Sequence, residues 1–176
     1  MSEKSTPRQS RRTARRHAFH LIFSLPFGGV LDSPKLAKSK AAYFEFLDDD
    51  LSDYGFEDLP RPTERDAQYV DRVFWGVSER VNQLDGVIEN FLRDWTIGRL
   101  NKADLAILRL AIYEILCEDV PPAAAVNEAV ELAKQYGSDE SPAFINGVLG
   151  NVARAIAEKK DLGNVVPVPL QGGSPA

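Results

Sequence analysis

Cysteine is nearly absent: Cys117 is the sole example in 176 residues. An internal disulfide is thereby excluded, which fits a reducing cytoplasm. Between Leu116 and Glu118 in an apolar segment, Cys117 reads as a small core residue rather than a nucleophile. Histidine is equally scarce. His17 and His20 have no second cluster of Cys or His with which to build a metal site. No metal and no cofactor are expected, and the pair reads as part of a solvated helix face. No apolar run reaches the roughly 20 residues of a membrane-spanning helix. Leu21-Ile22-Phe23 is cut short by Ser24, Pro26 and Gly28-Gly29, so the chain also lacks the ~7–15 apolar residues of an export signal. Strand alternation and repeats of fixed period are missing too. The expectation is an all-α, cytoplasmic chain with no membrane contact.

Charge is present in both signs but unevenly spread. The chain carries a formal −5 and a sequence pI near 5.1. Yet its first twenty residues hold Lys4, Arg8, Arg11, Arg12, Arg15 and Arg16 against Glu3 alone. From Glu45 to Asp66 the balance reverses, with acids far outnumbering Arg61 and Arg65. Such segregation permits a local positive field on a negative molecule.

Residues 1–9 are polar and read as a flexible arm, 10–160 as one helical domain, and 161–176, rich in Gly, Pro and Val, as a disordered tail. A first helix is expected from Ser10 or Thr13 to Leu25, and a second from about Pro34 to Phe46 or Leu47. The acidic stretch beyond it reads as a surface loop or short helix. Thr63 and Asp66 resemble a capping box, followed by Tyr69 or Val70, Val73, Phe74, Val77 and Val81 at helical spacing. A further helix covers roughly Leu84 to Asp94, with Trp95 continuing its apolar stripe. Asn101 caps a segment apolar on nearly every side, the mark of a buried central helix. Pro121-Pro122 divide it from a helix ending at Gly137, read as a left-handed cap. Ser141-Pro142 open the last one.

On the first helix, Ala14, Ala18, Leu21, Ile22 and Leu25 share one stripe at about 100° per residue. Arg11, Arg12, Arg15 and Arg16 lie beside it, in a sector that also holds Phe19 and Phe23. A charge run alone is more often a solvated face. Arginine forks, however, bond phosphates in pairs and stack on bases, so interleaved Arg and Phe also suit single-stranded RNA.

Three motifs in the C-terminal third carry a resemblance. They are Ile107-Leu108-Arg109 with Ala111 and Tyr113-Glu114, then Val126-Asn127-Glu128-Ala129-Val130-Glu131-Leu132-Ala133-Lys134, then Phe144-Ile145-Asn146-Gly147-Val148-Leu149. With the arginine-rich start, they resemble the NusB family of bacterial transcription antitermination factors. The resemblance spans residues 10–25 and 99–156 and omits 26–62. It implies about seven helices in two packed subdomains and no enzymatic activity. It also implies binding of boxA RNA from ribosomal RNA operons, jointly with a small-subunit ribosomal protein (NusE), within an RNA polymerase antitermination complex. Arg11, Arg12, Arg15, Arg16 and Phe23 are then the RNA-binding candidates, and Asp104, Glu140 and Phe144 the partner-binding ones. Phe23 stands where the family commonly has tyrosine, and Gly150 where it often has an acid.

Two other functions compete. A helical scaffold or homodimer would have no RNA role. A relative of the N-terminal domain of rRNA cytosine methyltransferases would need an α/β domain with a Gly-rich cofactor loop, for which the chain leaves no room. Several motif residues also have plain structural uses. Asn127 and Asn146 would bond a neighbouring turn or tie helices together, Glu131 and Lys134 would pair on the surface, and Gly147 would permit close helix approach. Arg109 and Glu114 need partners inside the protein or on another chain.

Overall fold

The computed structural model describes residues 7–26, 32–47 and 59–162, and these hold seven α-helices and no strand. The chain divides into two compact units, residues 1–79 and 80–176. The acidic stretch at 48–58 and the tail from 163 lie outside the described residues.

The first unit contains α1 (Pro7–Phe23), α2 (Ser33–Phe46) and α3 (Glu64–Glu79). Helix α1 starts at Pro7, inside the expected arm, because a proline suits a first turn that needs no donor. Its stripe of Ala14, Ala18, Leu21 and Ile22, continued by Leu25, is buried in full, and α1 packs on α3, whose Val70, Val73, Phe74 and Val77 are wholly covered. Each such Leu, Ile, Val or Phe contributes about 1.5–3 kcal/mol by leaving water. Thr63 caps α3 as its sequence suggests. Its Oγ1 accepts the Asp66 N–H at 3.2 Å and donates to Asp66 Oδ2 at 2.7 Å.

The second unit contains α4 (Val81–Phe91), a 3-10 turn (Ile97–Arg99), α5 (Lys102–Cys117), α6 (Pro122–Tyr136) and α7 (Ser141–Ala157). Helix α5 is central: every residue from Asp104 to Glu114 is buried, and α4, α6 and α7 all pack on it. Arg109 finds its partner internally. Its Nε and Nη2 donate to Asp85 Oδ1 and Oδ2, each at 2.7 Å, joining α5 to α4. Cys117, at the end of α5, is only half-buried.

Three expectations need correction here. Trp95 does not continue the α4 stripe. Leu92 is extended and Asp94 is left-handed (φ 57°), so the helical register ends first and Trp95 stands 56 % exposed. Gly137 is not a left-handed cap, since its φ of −91° and ψ of −173° are extended. Glycine is needed there for space, because an added Cβ would lie 2.5 Å from Ser141 Cβ and 2.8 Å from the Ala133 carbonyl oxygen. Asn127, Asn146 and Gly147 are all exposed. A Cβ on Gly147 would meet nothing within 4 Å, so none of the three serves as a helix contact.

Candidate functional site

In the first unit the candidate RNA residues lie on α1. Arg11 and Arg12 are exposed, Arg15 and Arg16 half-buried, and Phe23 is 38 % exposed. Phe19, placed by its angle beside the arginines, is instead buried. Its ring meets those of His20 at 5.3 Å and Phe23 at 6.0 Å between centroids. The buried side of α1 is thus wider than one stripe, and Tyr43 of α2 meets His17 and His20 off that stripe.

The histidines show this most clearly. His17 is fully buried, not solvated. The Pro60 carbonyl, 2.8 Å away, can only accept, so His17 Nε2 carries the ring proton, and Nδ1 accepts from the Tyr43 hydroxyl at 2.8 Å. Burial pushes the His17 pKa down, with the Arg16 and Arg61 charges acting the same way against the Pro60 bond and Asp66. His20 is lowered to about 4, by burial first and then by His17 and Arg16. Both are neutral near pH 7.

In the second unit the three partner candidates converge. Asp104 on α5, Glu140 before α7 and Phe144 on α7 line one cleft of about 560 Å³, walled also by Trp95, Arg93 and Arg99. Asn101 sets its floor: its Oδ1 accepts the Asp104 N–H at 2.7 Å and its Nδ2 donates to Asp104 Oδ2 at 2.8 Å. Asp104 is only 6 % exposed, and its Oδ1 has no hydrogen-bond partner. Burial pushes its carboxyl pKa up, against the nearby Ser141 hydroxyl and Asn101. Ser141 closes the same end, its Oγ accepting the Ser138 N–H at 2.9 Å. Glu140 is exposed and Phe144 half-buried. Trp95, Arg93 and Arg99 were missed in the sequence because the α4 pattern absorbed the tryptophan. The available signal was its place between Asp94 and Thr96, past the last helical apolar residue.

Among the described residues no three His, Cys, Asp or Glu side chains gather as metal ligands would, and no helix is long and apolar enough to cross a membrane. The Cys117 thiol is held above its ordinary pKa by burial.

A two-unit all-helical protein whose candidate residues lie on one helix face and in one cleft is the class this geometry defines. The NusB family profile matches residues 12–154, and the chain belongs to that family. The transcription antitermination protein NusB of Agathobacter rectalis is 39% identical over 145 residues, covering 82% of this chain and 99% of that protein. Among solved structures, T. maritima NusB is similar with a TM-score of 0.61 and 28% identity, over 86% of this chain and 93% of that one. A structure of the antitermination factors NusB and NusE in complex with dsRNA shares the fold with a TM-score of 0.62 and 21% identity, over 85% of this chain and 99% of that one.

Proposed function

We propose that this chain is a cytoplasmic, non-enzymatic transcription antitermination factor. It binds boxA-like RNA through α1 and a NusE-like ribosomal protein through the α5–α7 cleft, within an RNA polymerase antitermination complex. The observation that carries this reading is the convergence of Asp104, Glu140 and Phe144, drawn from the starts of α5 and α7, on one cleft. Its chemistry suits a basic protein partner. The Asp104 carboxyl is largely desolvated at the cleft, so a cationic side chain docking there would offset part of a desolvation cost that the free protein carries. Trp95 and Phe144 supply the aromatic surface that anchors interfaces. On α1, Arg11 and Arg12 reach water and can engage successive phosphates in forked pairs. Family membership and a like-folded NusB–NusE–RNA complex support the same pairing of ligands. A thiol held protonated by burial is a poor nucleophile, which supports the non-enzymatic reading.

The direct test is a salt series with labelled boxA-like RNA. Arg12→Ala with Arg15→Ala should weaken binding and flatten log Kd against log salt by about 0.7 per phosphate lost. Helicity and Tm should stay near wild type. An unchanged slope removes these arginines from the RNA site.

A further inference from the structure

Helix α2 is thinly packed for 14 residues, with Leu36 its one buried residue. Two contacts fix its roll. Tyr43 bonds His17 on α1, and Lys40 pairs with Asp71 on α3 and lies 5.9 Å over the Trp75 ring. With Leu36, Lys40 and Tyr43 turned inward, 100° steps put Lys35, Ala42 and Phe46 on the flank beside α1, and Lys38 and Glu45 outermost. The same construction on α1 puts Arg12, Arg16 and Phe23 on the outward side next to His20. The two flanks therefore meet across the His20–Tyr43 ring pair, whose centroids are 6.2 Å apart. A run of rings joins the helices: Phe23 to Phe19, Phe19 to His20, His20 to Tyr43, with Phe46 one turn beyond. Cations border it on both sides.

We propose that the outer face of α2, with Lys35, Lys38 and Phe46, is a second contact surface for single-stranded RNA, taking nucleotides that flank the element held by α1. This rests on the RNA-binding reading of α1. Charge complementarity selects the occupant. Lys35, Lys38 and Ala42 are exposed and Phe46 is 46 % exposed. Lys38 has no ion pair among the described residues, and Lys35 meets Asp32 only at 3.8 Å, its own side chain 85% exposed. Glu45, beside Lys38 on the outermost strip, is the one acid within the helix. This face offers one large exposed ring among lysines. Spaced cations with an exposed aromatic are what a nucleic-acid strand needs, phosphates on the first and a base on the second.

The test uses the full chain, a boxA-like RNA, and the same RNA extended at both ends by unstructured single strand. The wild type should bind the extended RNA more tightly. Lys35→Ala with Lys38→Ala should remove that advantage and reduce the salt slope on the extended RNA alone, by up to about 1.4. Phe46→Ala should cost at least about fivefold on the extended RNA with the slope unchanged. If the lysine variant binds both RNAs like wild type while the Arg12 and Arg15 variant loses both, the α2 proposal is overturned and the α1 reading stands. A wild type that binds neither RNA overturns both. Loss of a NusE-like protein with RNA binding intact would make this a protein surface and overturn the proposal.

Discussion

Arg109 shows what one residue can and cannot announce about itself. A guanidinium in the middle of a segment as apolar as Leu105–Ile112 must have a partner, and that much follows from the sequence. Asp85 as that partner does not, because it lies 24 residues earlier on another helix and its carboxylate resembles any surface acid in a linear pattern. Gly137 is a similar case: a helix-ending glycine suggests a backbone conformation, while the actual constraint is the Ser141 side chain packed against it. The ion pair gives a sharp prediction. Asp85→Ala takes away the carboxylate that holds both Nε and Nη2 of a buried guanidinium and should cost about 3–5 kcal/mol. Asp85→Leu combined with Arg109→Met, which removes both charges, should cost much less. Urea unfolding followed by circular dichroism measures both. Equal losses in the two variants would show that packing, and not the stranded charge, governs this site.

At the scale of elements, the helices with a clear apolar face were legible and their coverings were not. The five-residue stripe of α1 is buried as its spacing requires. His17 and His20 fall off that stripe; Tyr43 on α2 and Pro60 from the segment before α3 bond His17, and the Tyr43 ring packs on His20. Helix α2 itself was located to within a residue from Pro34, but its one buried residue gives no pattern from which to read its docking. The buried histidines have a consequence for stability. A histidine whose pKa is lowered by folding is held neutral in the native state and takes up its proton more readily when unfolded. Its contribution is complete above the unfolded value near 6.5 and is lost as pH falls toward the native value. For His20 that window runs from 6.5 down to about 4, and the loss amounts to roughly 3 kcal/mol across it. His17 acts in the same direction; Arg16 opposes both protons and Arg61 that on His17, with Asp66 favouring that on His17. Asp104 has the opposite sign, since its raised pKa makes protonation favour the native state. Thermal melts between pH 7 and 4.5 should therefore show a falling Tm that is distinctly shallower in His20→Gln. The same slope in that variant would exclude His20 as a source of acid sensitivity.

At the scale of the whole molecule, uneven charge is the property that the sequence displays most openly, and it bears on how RNA is held. The strongest local excess of cations, six against Glu3 alone, lies in the first 20 residues of a chain whose net charge is −5. Asp66, one of the acids that reverse the balance, is already committed to the Thr63 cap. A cation set this small offers few phosphate contacts, and the remaining charge repels RNA, so the protein alone should bind boxA-like RNA weakly and lose it steeply with salt. A basic ribosomal protein seated in the cleft of Asp104, Glu140 and Phe144 would cancel acidic charge there and add cations of its own. RNA affinity should then rise substantially in the mixture. Linkage requires the reciprocal effect: RNA must tighten the protein–protein contact by the same factor. Titrating labelled RNA with the protein, with a NusE-like partner and with their equimolar mixture measures the first factor. Titrating the labelled partner with the protein, with and without RNA, measures the second. Binding that is merely additive would contradict a cooperative ribonucleoprotein. Unequal apparent factors would mean that the partner also binds RNA without this protein, adding a second equilibrium to one of the titrations.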